Sequence, residues 1–365
     1  MARIDAFLEL GRQQGCSDIH LAVGVPPMVR LHGALEPIKY RILNEEEMTD
    51  LVNEILSHDQ REQFESGHDL DLAYESGEAG GRFRVNLFHK ISGIGAVFRV
   101  IPPHTPTIKD LGLPKVVEKM LDCHQGLILV TGTTGTGKST TLAAMIDWIN
   151  RNRKFNIITL EDPIEYMHDS KASLVVQRSV GLHVASFANG LREALREDPD
   201  VILVGELRDP ETISLAMTAA ETGHLVLATL HTSSAVKTLD RIVDAMPAEQ
   251  KAQAANFLGQ HLKGVISQVL VRTPDGRGRK AILEILINTP GIANLIMERK
   301  IFQIPSIVQT GRELGMQLMD QALLDAIKNK QIDPDDAYVN ATDKKLFQRF
   351  VTDPGLLPQV SLAVS

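Results

Sequence analysis

Only two cysteines, Cys16 and Cys123, occur in the 365 residues of the chain, and they stand far apart. Neither their number nor their spacing suits a metal cluster or a disulfide framework, so both are read as reduced thiols. Aromatic residues are scarce, at 4% with a single Trp. The cores must therefore rest on Leu, Ile, Val, Ala and Met, and few rings remain for stacking nucleic-acid bases. Basic residues are outnumbered, 38 Lys and Arg against 46 Asp and Glu, for a net charge of -8. Such a chain has no general field to attract a polyanion, and no nucleic-acid partner is expected. No run approaches the ~20 apolar residues that a bilayer span needs. Residues 1–15 carry Asp5 and Glu9 among apolar positions and read as an amphipathic helix, not a signal peptide. A cytoplasmic location is expected. What is present is an ordinary globular balance, 43% hydrophobic and 23% charged, with material for two cores.

Residues 1–100 read as a small α+β module. Ile4, Phe7, Leu8 and Leu10 space a short helix that stops near Gly15. Residues 19–23 and 28–31 flank a turn at 24–27, a strand-turn-strand pattern. Asn44 followed by Glu47 opens a helix over 45–56, and a third helix is expected over 59–66. Alternation over 70–74, 82–88 and 95–100 predicts consecutive antiparallel strands, joined by Gly-rich turns at 77–81 and 92–93. Pro102, Pro103 and Pro106 mark a linker, assigned to 101–110, because proline continues neither a helix nor a central strand. From 111 to 365 short apolar strands at 127–131, 157–160, 201–204 and 225–230 alternate with helices, as in a parallel sheet covered on both faces. That is the pattern of a RecA-like α/β domain. Beyond residue 240 the chain reads as mostly helical, with a polar turn at 273–280 and a strand at 281–287.

The chemistry concentrates in four motifs. Gly132, Thr133, Thr134, Gly135, Thr136, Gly137, Lys138 and Ser139 match G-x-x-x-x-G-K-[ST] in full, between an apolar strand and a helix. The glycines let backbone N–H groups converge on phosphates, and the helix N-terminus adds partial positive charge. Lys138 is placed to reach the β- and γ-phosphates, Ser139 to ligate Mg²⁺, and Thr140 to sit near the α-phosphate. ATP with Mg²⁺ is the expected ligand. Second, the apolar stretch 201–204 leads to Glu206, a carboxylate suited to orient the attacking water or hold the Mg²⁺ shell. Third, Glu161 and Glu165 follow another core strand, where strand ends face the ligand crevice. Fourth, His224 and His231 bracket the strand at 225–230, either as a structural pair or with one of them sensing the γ-phosphate.

In this order the four motifs resemble the Walker A, Asp, Walker B and His boxes of the secretion/pilus ATPase superfamily. The likeness spans nearly the whole chain. Gly15-Cys16-Ser17-Asp18-Ile19-His20-Leu21, together with Gly315-Met316-Gln317 and Asp320-Gln321-Ala322-Leu323-Leu324, is similar to the retraction branch that serves type IV pili. The resemblance implies a PAS-like N-terminal domain, a RecA-like ATPase domain and a homohexameric ring. It also implies an inner-membrane pilus platform protein as partner, peripheral attachment at the pilus base, and company from a paralogous retraction ATPase. Glu206 becomes the catalytic glutamate, Glu161 and Glu165 the Asp-box acids, His224 and His231 the His-box pair. Arg82, Arg84 and Arg99 match positions that supply cations to phosphates. Extension and type II secretion motors carry a further N-terminal domain and paired CxxC motifs that this chain lacks, which favours retraction. One departure stands out: Gly291-Ile292-Ala293-Asn294-Leu295-Ile296-Met297-Glu298 lacks both arginines of the retraction motif Ala-Ile-Arg-Asn-Leu-Ile-Arg-Glu. The turn at 273–279 is also similar to that of the accessory paralogue. Ile292, Leu295 and Ile296 are expected to belong to a coupling helix.

Overall fold

A computed structural model describes residues 2–31, 34–77, 81–101 and 104–357. The chain forms two compact units, Met1–Thr105 with Pro163–Met167, and Pro106–Asp162 with His168–Ser365.

The first unit is built on six strands: β1 (Asp18–Ala22), β2 (Met28–Leu31), β3 (Ala34–Pro37), β4 (Leu70–Ser76), β5 (Gly81–Lys90) and β6 (Gly93–Ile101). They pair antiparallel in the order β3-β2-β1-β6-β5-β4. Period-2 alternation sends Ile19, Leu21, Phe83, Val85 and Phe98 to one face, where they share a core with Leu8, Met48, Leu51 and Val52 of the helices. Helix Glu45–Asn53 starts where the Asn44 side chain accepts the Glu47 N–H, and helix His58–Glu65 starts at a Ser57/Gln60 capping box. The expected α+β module is therefore present, with β3 added. All four β3 residues are exposed, so it shows no alternation to read.

Of the linker expected over 101–110, Ile101 closes β6, whereas Pro102 and Pro103 lie outside the described residues. Ile108 and Leu111 pack into the core of the second unit, so the linker is shorter than the prolines suggest. Residues 78–80 of the turn expected at 77–81 also lie outside the described residues.

The second unit holds β7 (Gly126–Thr131), β8 (Asn156–Glu161), β9 (Leu174–Ser179), β10 (Val201–Val204), β11 (Leu225–Leu230), β12 (Leu262–Arg272) and β13 (Arg279–Ile287). Their order is β13-β12-β7-β11-β10-β8-β9, and every pairing is parallel except β12 with β13. Successive residues of β7 enter opposite cores: Leu127 and Leu129 on one face, Ile128 and Val130 on the other. Each such side chain contributes about 1.5–3 kcal/mol by leaving water. Burial on both faces explains why these strands read as unbroken apolar runs.

Two expectations change here. The region beyond residue 240 is mostly helical, as expected, but it also holds the unexpected β12, an eleven-residue strand that includes the parallel neighbour of β7. Helix Lys251–His261 runs directly into it, with no Gly or Pro between them to announce the change. The apolar face of helix Pro290–Met297 is also no free coupling surface. Ile292 and Ile296 are buried at 0% and 2% exposure, with Leu295 packed alongside.

Candidate functional site

β7, β11, β10 and β8 lie side by side and parallel, so their C-terminal ends open along one edge of the sheet. Gly132 follows β7, His231 follows β11, Glu206 follows β10, and Glu161 ends β8. This edge is where open α/β sheets bind ligands.

The glycine loop takes its shape from backbone angles that side chains resist. Gly132, Gly135 and Gly137 have φ of 149°, 80° and 87°. A Cβ on Gly132 would lie 2.5 Å from the Gln268 carbonyl oxygen, so that position is closed to any other residue. Thr133, Thr134, Gly135 and Ser139 are exposed, whereas Thr136 is buried and donates its hydroxyl to the Thr133 carbonyl at 2.8 Å. Lys138 Nζ donates to the carbonyls of Gly132 at 2.8 Å and Thr133 at 3.1 Å, which keeps the ammonium at the mouth of the loop. Helix Lys138–Asn152 starts immediately behind it, with Ser139 and Thr140 in its first turn.

Glu206 sits two residues beyond β10. Its position is set on both sides: Gly205 N–H donates to Leu160 and Leu207 N–H donates to Thr229, tying the loop to β8 and β11. The carboxylate is paired with Arg208 at 2.8 Å and His231 Nε2 at 3.3 Å. Burial pushes its carboxyl upward, but the hydrogen bond and charge of Arg208, with His231 adding, outweigh that and hold it below the ordinary value. Glu161 accepts the Thr159 hydroxyl at 2.7 Å and the Gln177 amide at 3.2 Å.

The other sequence-picked residues are His224 in the second unit and Glu165, Arg82, Arg84 and Arg99 in the first. His224 precedes β11 at the opposite end from His231, about 20 Å away for a six-residue strand. Its Nδ1 meets the Ala219 carbonyl at 2.9 Å and the Thr222 hydroxyl at 3.3 Å, the contacts of a structural histidine closing helix Pro210–Glu221. Glu165 belongs to the first unit, with Arg84 at 3.5 Å, whereas Glu161 belongs to the second. Arg84 and Arg99 face each other in register, and Arg99 is bonded to the buried Asp18 at 3.0 Å. Arg82 has its Nε buried without a hydrogen-bond partner. Three site residues escaped the sequence reading. Arg208 could have been suspected as a cation two residues past a carboxylate, whereas Gln177 and Gln268 sit on strands that were not expected and left no signal.

The model of the family "Type II/IV secretion system protein" matches residues 17–331. "Type IV pilus retractation ATPase PilT" of Pseudomonas aeruginosa is 49% identical over 320 residues, covering 88% of this chain and 92% of that protein. "Type IV pilus ATPase PilU" of the same organism is 40% identical, covering 92% and 88%. The solved structure "Crystal Structure of the Pilus Retraction Motor PilT and Bound ADP" superposes with a TM-score of 0.87 at 42% identity, covering 96% of this chain and 99% of that one. The Legionella pneumophila ATPase DotB superposes at 0.79 with 31% identity, covering 92% and 94%. With a complete phosphate-binding loop, an acid-and-histidine edge and a family match over residues 17–331, the chain belongs to the Type II/IV secretion system protein family.

Proposed function

We propose that this chain hydrolyses ATP as one subunit of a homohexameric ring and drives type IV pilus retraction. It works on the cytoplasmic side of the inner membrane, peripherally attached, against a platform protein at the pilus base. The observation that carries the reading is Glu206 held between Arg208 and His231 on the sheet edge that bears the glycine loop.

The loop N–H groups and Lys138 take the phosphates, with Thr133, Thr134, Gly135, Thr136 and Gly137 shaping the cradle and Thr140 beside it. Among the described residues no three His, Cys, Asp or Glu side chains form a metal cage. A magnesium ion arriving with the triphosphate would be held by Ser139, with Glu206 acting partly through water. Magnesium supplies charge neutralisation on the phosphate oxygens. Glu206, kept ionised by its partners, is a weak proton acceptor. Its part is to accept a hydrogen bond from the attacking water and aim it. His231 holds the other side of that carboxylate, and Glu161 stands on the neighbouring strand as an acid of the metal's outer sphere. Arg82, Arg84 and Arg99 are the arginines proposed to supply cations to phosphate. Of the three, Arg82 has the least competition for its guanidinium, since Arg84 and Arg99 hold carboxylates.

The decisive experiment is Glu206→Gln in the purified chain. Steady-state turnover is expected to drop about 100- to 1000-fold while nucleotide binding survives; undiminished turnover removes the assignment. A second reading, an accessory retraction ATPase beside a principal motor, is favoured by the helix Pro290–Met297 lacking the retraction arginines. Lys138→Ala in a retraction assay separates the two: a principal motor loses retraction, and an accessory subunit keeps it.

A further inference from the structure

A row of buried polar side chains crosses the second sheet where apolar ones would be ordinary. Thr131, Ser267 and Glu284 lie directly opposite one another on β7, β12 and β13. Thr131 and Ser267 are fully buried and Glu284 is 8% exposed. The Thr131 and Ser267 hydroxyls meet at 2.7 Å. Above the row stands the first turn of helix Ala235–Ala245, which begins four residues after His231. Glu284 accepts the Ala235 N–H at 2.6 Å with one oxygen and the Met319 N–H at 3.3 Å with the other. One carboxylate therefore holds the first residues of two helices, Ala235–Ala245 and Met319–Lys328. Buried between Leu283 and Ile285, it gives up its hydration for these two bonds.

Thr238 stands between the row and the loop of residues 231–234 that follows β11. Its hydroxyl lies 3.5 Å from Thr131, 2.6 Å from the Thr232 hydroxyl and 2.7 Å from the Ser234 carbonyl. A hydroxyl has one proton to give. The Ser234 carbonyl can only accept, so it takes the Thr238 proton; Thr232 must then donate to Thr238, and the 3.5 Å approach to Thr131 is a packing contact made without that proton. That fixes the rotamer of the residue next to His231. On the opposite face of β12 the next residue, Gln268, donates to the Thr136 carbonyl at 2.5 Å and accepts the Thr141 hydroxyl at 2.9 Å. β12 thus touches the phosphate loop with one residue and the row beneath helix Ala235–Ala245 with its neighbour.

We infer that Thr131, Ser267, Thr238 and Glu284 form a positioning network that sets the His231–Ser234 loop against Glu206 and ties it to the phosphate loop and the C-terminal helices. These are positioning residues, acting through His231 and Glu206 and not on the nucleotide. The inference rests on the ATPase reading above.

Thr238→Val replaces the hydroxyl with a methyl of the same shape, and Thr238→Ser keeps the hydroxyl and drops the methyl. In the full-length chain, a fluorescent ADP analogue measures binding, steady-state assays give kcat and KM, and thermal melts report folding. Thr238→Val is expected to bind nucleotide within about twofold of wild type while kcat falls about tenfold, the worth of one well-placed hydrogen bond, and Thr238→Ser should recover most of it. Glu284→Gln turns one acceptor into a donor facing an N–H group. It should lower kcat similarly with little change in KM, so a poorly folding Thr238 variant leaves the test standing. Unchanged kcat in Thr238→Val and Glu284→Gln overturns the network, and so does an equal loss in Thr238→Val and Thr238→Ser. A wild-type chain that binds the analogue and never turns over ATP would instead defeat the ATPase reading itself.

Discussion

The two sheets handle charge in opposite ways. In the first unit an antiparallel sheet with one open face strings its ions across the strands. Arg30, Asp18, Arg99 and Arg84 are successive register partners, and Asp18 is the only anion among them. In the second unit both faces of a mostly parallel sheet are covered, so few ions lie across it, and the buried Glu284 does so only with two N–H groups to hold it. The ions gather at the strand ends instead, with Glu161, Glu206 and His231 on the edge that carries Lys138. An open face makes rows of charge, and a closed sheet makes an edge of charge. A cationic surface and an acid-lined crevice follow from topology before any particular ligand is considered.

Four experiments would break or sharpen this contrast. The largest effect is expected from Lys138→Ala, which removes the cation at the edge and should weaken nucleotide affinity about 100-fold by equilibrium titration. Affinity within a few-fold of wild type would mean that the backbone cradle suffices. Next comes acid. Burial pushes His168 in the second unit down to about 4 from the ordinary 6.5, and burial also lowers His20 in the first. A histidine kept neutral by folding stabilises fully above 6.5, and that stability is lost as pH falls from 6.5 towards 4, because the unfolded chain takes up the proton first. Denaturant melts across that window should show a loss of about 1–3 kcal/mol in the second unit, largely abolished in His168→Gln. Third, Arg99→Ala leaves the buried Asp18 with Arg30, 3.9 Å away, as its cation and the Ser17 hydroxyl at 2.8 Å. A loss of about 1–3 kcal/mol in the stability of the first unit is expected. Unchanged stability with reduced turnover would show instead that Arg99 serves phosphate and not Asp18. The smallest effect is a displacement: Arg208→Ala removes the strongest support for ionised Glu206, so the acidic limb of the kcat profile should move to higher pH. A limb that stays in place would assign that support to His231.

Legibility followed the same contrast. Runs such as Leu127 to Val130 announce a doubly buried strand through composition alone, and the glycine loop is fixed by φ angles that only glycine tolerates easily. Gly132, Lys138 and Glu206 were therefore within reach of the sequence. β12 was not: Val265, Ile266 and Val269 carry strand character, but the segment follows a helix without punctuation, and Ser267 and Gln268 interrupt its apolar run. With β12 unseen, Gln268 and the polar row were unseen as well. The unit to which Glu165 belongs was illegible for another reason. Glu165 stands four positions after Glu161, yet the chain turns at Pro163 and joins the first unit, a tertiary event that local spacing cannot encode.

The position of β7 in its sheet also bears on how the chain is made. Its two neighbours, β11 and β12, start at Leu225 and Leu262, roughly a hundred residues or more after Gly126. A ribosome adding 5–20 residues per second leaves that strand without a partner for roughly 5–20 s. Over that interval an apolar strand waits with both edges open, exposed to aggregation. The strand that carries the phosphate loop, first of the motifs to be synthesised, thus waits longest for its neighbours. Synthesis rate across residues 132–224 becomes a determinant of soluble yield.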